Sequence, residues 1–269
     1  MERREFLKLS LAGGAAMLFD ASSFAAALAQ GDRPKTLVLG GGAFALGYAL
    51  AHPGETLVLE RGLHLAADFA CTCGPVEPGA ARTALGRELL AGLSNCGILA
   101  HGQLELPPLA DYMGVFFADH GGRAFLNAEL ADMKATARAV RVRIYGGGAA
   151  GFSTFTVRNV LDTTDVGFRN CGEDAVAGKR FGGLGPDGMF TVDIPANAGW
   201  HEARLALYAA WEAKGRKPEE LLAEVNALKC LYREGRIARR VADGRTWTPS
   251  AQFPTLLDAF EEGLAWKSI

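Results

Sequence analysis

The feature that most constrains this chain is the run Gly40-Gly41-Gly42-Ala43-Phe44-Ala45, set between an apolar segment and a helical one. Ahead of it, Lys35-Thr36-Leu37-Val38-Leu39 suits a buried parallel strand, which reads as a continuous apolar run. Residues 43–51 follow as a helix, closed by His52-Pro53-Gly54. Thr56-Leu57-Val58-Leu59 then reads as a second strand and ends in Glu60, twenty residues after Gly40. The turn fits G-x-G-x-x-A. Gly40 lets the chain leave the strand in a tight turn. Gly42 leaves room for a pyrophosphate against the backbone, and Ala45 lets the helix pack close to the sheet. The helix N-terminus offers free N–H groups and the positive end of its dipole to phosphates. Glu60 is placed to accept hydrogen bonds from ribose hydroxyls. Together these parts specify a dinucleotide-binding β-α-β unit far more tightly than a lone glycine triplet does. The expected fold is α/β, a Rossmann-like parallel sheet with a β-meander insertion and a mostly helical C-terminal part.

The first thirty residues carry a different message. A charged start, a short apolar stretch and Ala27-Leu28-Ala29 before Gln30 make a secretory signal. Arg3-Arg4-Glu5-Phe6-Leu7-Lys8 resembles the twin-arginine export pattern R-R-x-F-L-K, with Glu2 where Ser or Thr is usual. The apolar stretch is interrupted by Asp20 and is too short to span a bilayer comfortably. Cleavage after Ala29 is expected, with residues 1–29 outside the fold and the protein periplasmic or otherwise exported. The twin-arginine resemblance implies a protein that folds, often around a cofactor, before it crosses.

Residues 36–62 are similar to the N-terminus of FAD-dependent oxidoreductases, which often follow the acid with Arg or Lys, as Arg61 does here. Residues 156–165, Thr-Val-Arg-Asn-Val-Leu-Asp-Thr-Thr-Asp, are similar to the segment V-x-x-V-I-D-A-T-G-D of the same family, with Thr164 where the family commonly has Gly. The resemblance implies a strand that returns to the sheet with its C-terminal end beside the cofactor. It implies FAD, held at its ADP half by Gly40, Gly41, Gly42, Ala45 and Glu60, with Arg61 and Asp162 as lesser contacts. The family's late strand, with a Gly-Asp or Gly-Arg turn near the flavin, is not recognisable, and the chain is short for the family. A reduced substrate domain, a partner chain that completes the site, and truncation all stay open. So do two rival functions: an NAD-dependent oxidoreductase, since Glu60 repels the 2'-phosphate of NADP, and a non-catalytic accessory protein with a degenerate core.

Composition narrows the partners. With 49% hydrophobic and 22% charged residues and a net charge of -2, the chain is ordinary globular protein. It has no basic stripe interleaved with aromatics, so no nucleic-acid partner is expected. The partners expected are a small-molecule substrate or electron acceptor and, if the site is shared, a partner subunit, with no stable membrane span. No zinc or iron-sulfur spacing occurs among the five cysteines, so no metal is expected. Cys71-Thr72-Cys73 is a weak candidate for a dithiol facing the flavin, and His120 for acid-base work; the catalytic residues are otherwise unknown. His52 reads as a capping residue and His201 as packing. Residues 146–148 lack the Lys-Ser/Thr of a P-loop.

The cofactor domain is expected over residues 30–168, with the meander at about 138–158, and a cap or interaction region over 169–269. Residues 140–145 alternate polar and apolar, 146–151 turn, and 152–157 continue as strand. Residues 128–139 read as a helix leading into them. Farther on, 181–188 reads as a loop and 190–194 as a strand. Three helices are expected at 200–214, 217–232 and 256–266, the first with Leu205, Tyr208 and Trp211 on its apolar face.

Overall fold

A computed structural model describes residues 33–70, 76–146, 151–165, 175–185, 188–220, 223–224, 229–233, 237–241 and 244–267. The expected export signal lies outside the described residues. The chain opens with β1 (Thr36–Leu39), α1 (Ala43–Ala51) and β2 (Thr56–Leu59), every residue of both strands buried. These are the elements the glycine motif predicts. Then come α2 (Ala67–Ala70), α3 (Ala84–Asn95), β3 (Leu99–Ala100), β4 (Gln103–Leu104), α4 (Leu106–Asp119) and β5 (Ala124–Phe125). Strands β6 (Ala128–Ala135), β7 (Val140–Gly146) and β8 (Gly151–Val157) precede β9 (Asn159–Asp162). The rest comprises β10 (Val176–Gly185), β11 (Gly188–Pro195), α5 (Trp200–Ala213), β12 (Ala223–Glu224), β13 (Lys229–Tyr232), β14 (Arg239–Arg240), β15 (Thr246–Trp247) and α6 (Leu256–Ala265).

Six strands form the main sheet in the order β14-β15-β9-β1-β2-β5. All neighbours are parallel except β14 and β15. The return strand expected near residue 160 is β9, in register with β1 from Thr36↔Asn159 to Leu39↔Asp162. Chain order therefore reverses at β1, and the crevice beyond the carboxyl ends of β1 and β9 is the topological switch point of the sheet. Side chains of successive strand residues alternate between its faces. Leu37, Leu39, Leu57 and Leu59 pack on the β6-β7-β8 meander, and Val38, Val58 and Leu161 on the helical layer.

The helical layer contains both the first helix and the last. α1 lies so close to α6 that a Cβ on Gly47 would sit 2.0 Å from the Phe260 carbonyl oxygen, and one on Gly263 would sit 2.1 Å from that of Phe44. Phe44 stacks on Phe253 at 5.5 Å and meets the edge of Trp266 at 5.4 Å. Thr255 caps α6 by accepting the Asp258 N–H, and Thr83 caps α3 by accepting the Gly86 N–H. The cofactor unit expected to close at residue 168 thus draws β15 and α6 from the C-terminal segment. β15, a late strand parallel to β9, is one the sequence does not reveal: two residues are too few to show a period.

Several expected elements differ. Residues 128–139 carry helix-favouring Ala, Glu, Leu, Met and Lys, yet Ala128–Ala135 is strand β6, paired with β7 from Ala128↔Gly146 to Ala135↔Val140. Pairing with a strongly alternating neighbour overrides a weak propensity. Of the expected loop at 181–188, Phe181 to Gly185 instead end β10, where Gly185 leaves room for the Trp211 ring, 2.2 Å from where its Cβ would be. The described residues of 217–232 do not form the expected helix. They hold a 3-10 turn at Pro218–Glu220 and strands β12 and β13, both antiparallel to β10. The helix at 200 exists, but its buried face is Ala203, Leu207 and Trp211, and Leu205 is 57% exposed. The C-terminal part is consequently mixed rather than mostly helical. Among the described residues, no helix is long and apolar enough to cross a membrane.

The α1-α6 contact predicts its own test. Gly47→Val drives a side chain into the Phe260 carbonyl and should destabilise the protein by about 3 kcal/mol. A urea midpoint equal to that of the unmodified protein would show that the two helices do not touch in this way.

Candidate dinucleotide site

The turn out of β1 is set by Gly40, whose φ of 90° favours glycine. Its N–H continues the ladder to Leu59 O at 2.9 Å. The switch-point wall faces it: a Cβ on Gly40 would lie 2.9 Å from Thr163 Oγ1 and 3.1 Å from Thr164 Cγ2. Thr163 Oγ1 in turn donates to the Leu39 and Gly40 carbonyls, at 2.8 and 3.1 Å. Glu60, at the end of β2, reaches back over the turn. Its Oε2 accepts the Gly41 N–H at 2.6 Å and its Oε1 the Gly62 N–H at 2.7 Å. Each oxygen keeps a lone pair for a further donor, as a ribose hydroxyl would require.

Within α1 there is no acidic first-turn residue and no side-chain cap, so its leading N–H groups need outside partners. Two distant segments supply them. The Ala43 N–H is shared by both carboxylate oxygens of Asp68 at 3.2 Å. The Phe44 N–H donates to Ser250 Oγ at 3.1 Å, and Ser250 Oγ–H donates to Asp68 Oδ2 at 2.5 Å. A Cβ on Gly42 would meet Asp68 Oδ2 and Ser250 at 2.7 Å. The donor set at this helix end is therefore that of an anion site, and a carboxylate already stands on it. In chemistry it fits the diphosphate of a dinucleotide, with Asp68 in the place a phosphate oxygen would take.

Ser250 is carried there by the end of β15. Asp162 is fully buried, and its Oδ2 accepts from Arg245 Nη1 at 2.5 Å. Its Oδ1 accepts from Thr164 N–H at 3.1 Å and Thr164 Oγ1 at 2.6 Å. Thr248 N–H donates to Asp162 O at 2.8 Å and Ser250 N–H to Thr163 O at 3.0 Å. Asp162 thus pins β15 to β9. Thr164, standing where glycine is common in the resembling family, helps to fix that carboxylate.

The remaining sequence candidates lie elsewhere. Arg61 is on the surface, 3.6 Å from Glu129. Ala45 is buried in α1, within the cluster of the helical layer. His120 caps the C-terminus of α4, with Nδ1 2.8 Å from Phe116 O and Nε2 3.2 Å from Glu88 Oε1. α4 leads into the start of parallel strand β5, so His120 is at the opposite edge of the sheet from the crevice. His52 caps α1 there too, and His201 is exposed on α5. Cys71 and Cys73 lie outside the described residues. Cys96 is half-buried and Cys230 is buried with Trp247 and Val176 in the C-terminal cluster. Among the described residues, no cluster of three or more His, Cys, Asp or Glu could hold a metal.

Sequence reasoning missed Thr163, Arg245, Asp68 and Ser250. Asp68 leaves a trace, as the lone charge in Leu65-Ala66-Ala67-Asp68-Phe69-Ala70. Ser250 leaves none.

No family model matches the chain, and no curated protein matches it. Solved structures do. The chain is similar to the glycerol-3-phosphate dehydrogenase of Bacillus halodurans in its complex with FAD, with a TM-score of 0.54 and 11% identity over 87% of this chain and 64% of that one. It is similar to a tetracycline destructase, with a TM-score of 0.52 and 14% identity over 86% and 79% of the two chains. It is also similar to the anhydrotetracycline hydroxylase of Streptomyces rimosus, with a TM-score of 0.50 and 16% identity over 85% and 60%. This likeness establishes the fold: an α/β protein with the parallel sheet of these enzymes. The chain spans less than two thirds of the dehydrogenase and of the hydroxylase.

Arg245→Met leaves the buried Asp162 carboxylate without its charged partner and should destabilise the protein by about 3–5 kcal/mol. Chemical denaturation measures this directly, and a loss below about 1 kcal/mol would mean that the pair does not anchor β15.

Proposed function

We propose that this chain is an FAD-dependent oxidoreductase, exported by the twin-arginine route, acting on a small-molecule substrate or electron acceptor. The observation that carries the reading is the glycine turn of β1, with Glu60 folded over it and an anion on the α1 N–H groups, at the switch point of a sheet shared with an FAD-bound dehydrogenase. Bound FAD supplies the hydride or electron chemistry. The chain's own residues bind and orient it. Gly40, Gly41, Gly42 and the Ala43 and Phe44 N–H groups take the diphosphate, and Glu60 takes the ribose. Thr163 fixes the carbonyls of Leu39 and Gly40, so the turn keeps its shape when the ligand enters. An acid at position 60 disfavours a 2'-phosphate, which speaks against NADP.

The β10 to β13 sheet with α5 is inserted in the chain between β9, at the crevice, and β15, its neighbour in the sheet. We assign the substrate or acceptor side to this insertion. Asp165, just beyond β9, ties it down by accepting from the Cys230 N–H at 3.3 Å and from the Tyr232 hydroxyl. A β15 strand in place supports a complete cofactor crevice over a degenerate one.

Incubated with excess FAD and then desalted, the protein should keep flavin absorbance, and Gly42→Val should not. Glu60→Gln, which keeps the shape, should retain less flavin than the unmodified protein. A protein that keeps no flavin, or a Gly42→Val variant that keeps all of it, would overturn the assignment. For export, Arg3→Lys with Arg4→Lys should leave precursor in the cytoplasm, as read by cell fractionation; normal export would overturn the twin-arginine assignment.

A further inference from the structure

Residues 60–70 form a strap across the glycine turn. Leu65 covers Gly41, with its Cδ2 2.6 Å from where a Gly41 Cβ would stand. Ala66 N–H donates to Gly41 O at 2.7 Å. Ala66 does so with a φ of 54°, a left-handed conformation unfavourable for alanine, held because the strap is docked on both sides. Phe69 anchors it, 1% exposed in the helical layer. Between these anchors Asp68 turns its carboxylate onto Ala43 N–H, and Ser250 Oγ bridges it to Phe44 N–H. An acceptor-only group at the positive end of a helix dipole, held by backbone N–H and a hydroxyl, reproduces what a phosphate oxygen receives there. A diphosphate and this carboxylate cannot share the place. Both are anionic and need the same donors, and Asp68 Oδ2 lies 2.7 Å from where a Gly42 Cβ would stand.

We infer that Asp68 is an internal surrogate for the diphosphate: the strap, locked by Ser250, closes the cradle in the free chain, and a dinucleotide enters by exchanging with the Asp68 carboxylate. The inference rests on the flavin reading for the identity of the natural ligand but concerns the cradle's own residues. Binding is then a competition, and apparent affinity is lowered by the fraction of chains in which Asp68 is home. Ser250 serves both states, since the hydroxyl that holds Asp68 is free to donate to a phosphate once Asp68 leaves.

The test compares the full chain with Asp68→Ala and Asp68→Asn. Isothermal titration measures FAD and, separately, inorganic pyrophosphate, and thermal melts are recorded without ligand. Asp68→Ala should bind each ligand at least about tenfold more tightly than the unmodified chain. Its ligand-free melting midpoint should fall, because α1 loses its cap. Asp68→Asn removes the charge and keeps an acceptor for the Ala43 N–H, so it should hold its fold and gain part of the affinity. A residue that merely caps the helix would lower the midpoint with no gain in anion affinity; that result, in either variant, overturns the surrogate. Equal FAD binding by all three proteins overturns it too and leaves the flavin reading standing. Tighter pyrophosphate binding by the variants, with FAD bound by none of the three, upholds the surrogate and overturns the flavin reading.

Discussion

The architecture depends on the need to bury α1 on every side. Its sequence, Ala-Phe-Ala-Leu-Gly-Tyr-Ala-Leu-Ala, has no charged residue and no polar face, so it cannot sit at a surface as an amphipathic helix does. The sheet covers one flank. The other is covered by α6, which arrives from the far end of the chain and meets α1 backbone to backbone through Gly47 and Gly263. That contact makes the first and last helices one layer. It ties the N-terminal unit to the segment that carries α6: without residues 253–266, Phe44 would lose Phe253 and Trp266 as neighbours, and a large aromatic side chain would lose about 2 kcal/mol or more of burial.

Bringing α6 to α1 sets the path of the segment before it. β15 must lie beside β9, and the buried Arg245–Asp162 pair holds it there, since either charge alone would be unpaired in the interior. The strand then ends with Ser250 at the N-terminus of α1. Core packing and the site are thus coupled. The contact that buries the apolar helix delivers the hydroxyl that helps to satisfy its leading N–H groups, which have no partner within α1 itself. The same turn is roofed from the other side by the strap after β2. The crevice is consequently built from three regions far apart in sequence, near residues 40, 65 and 250.

Much of this was legible in the sequence where the signal is local. Residues 43–51 and 56–59 match α1 and β2, because an uninterrupted apolar run, a glycine turn and a His-Pro-Gly stop act within a few residues. The meander at 140–157 was legible for the same reason: Val140, Val142 and Ile144 alternate with Arg141, Arg143 and Tyr145, and the alternation is the burial pattern of β7. The C-terminal part was not. Residues 128–135, 223–224 and 229–232 lie in stretches expected to be helical and became strands because β7 and β10 offered edges to pair with. Leu205 lies at helical spacing from Tyr208 yet faces solvent, because the sheet against α5 engages Ala203, Leu207 and Trp211 instead.

By itself, the sequence determined a parallel β-α-β unit with a tight turn and an acid at the end of its second strand; the strand that returns beside the first was implied only by resemblance to a known family. The unit and its acid depend on backbone geometry and side-chain size over short spans, which residue type controls directly. Only the tertiary structure decided what occupies the turn. Glu60 folds over Gly41, Asp68 crosses to Ala43, and Ser250 arrives from more than two hundred positions away in the chain. Those contacts are hydrogen bonds between separate segments, set by no period, and the one from Ser250 exists only because α6 docks on α1 and β15 pairs with β9.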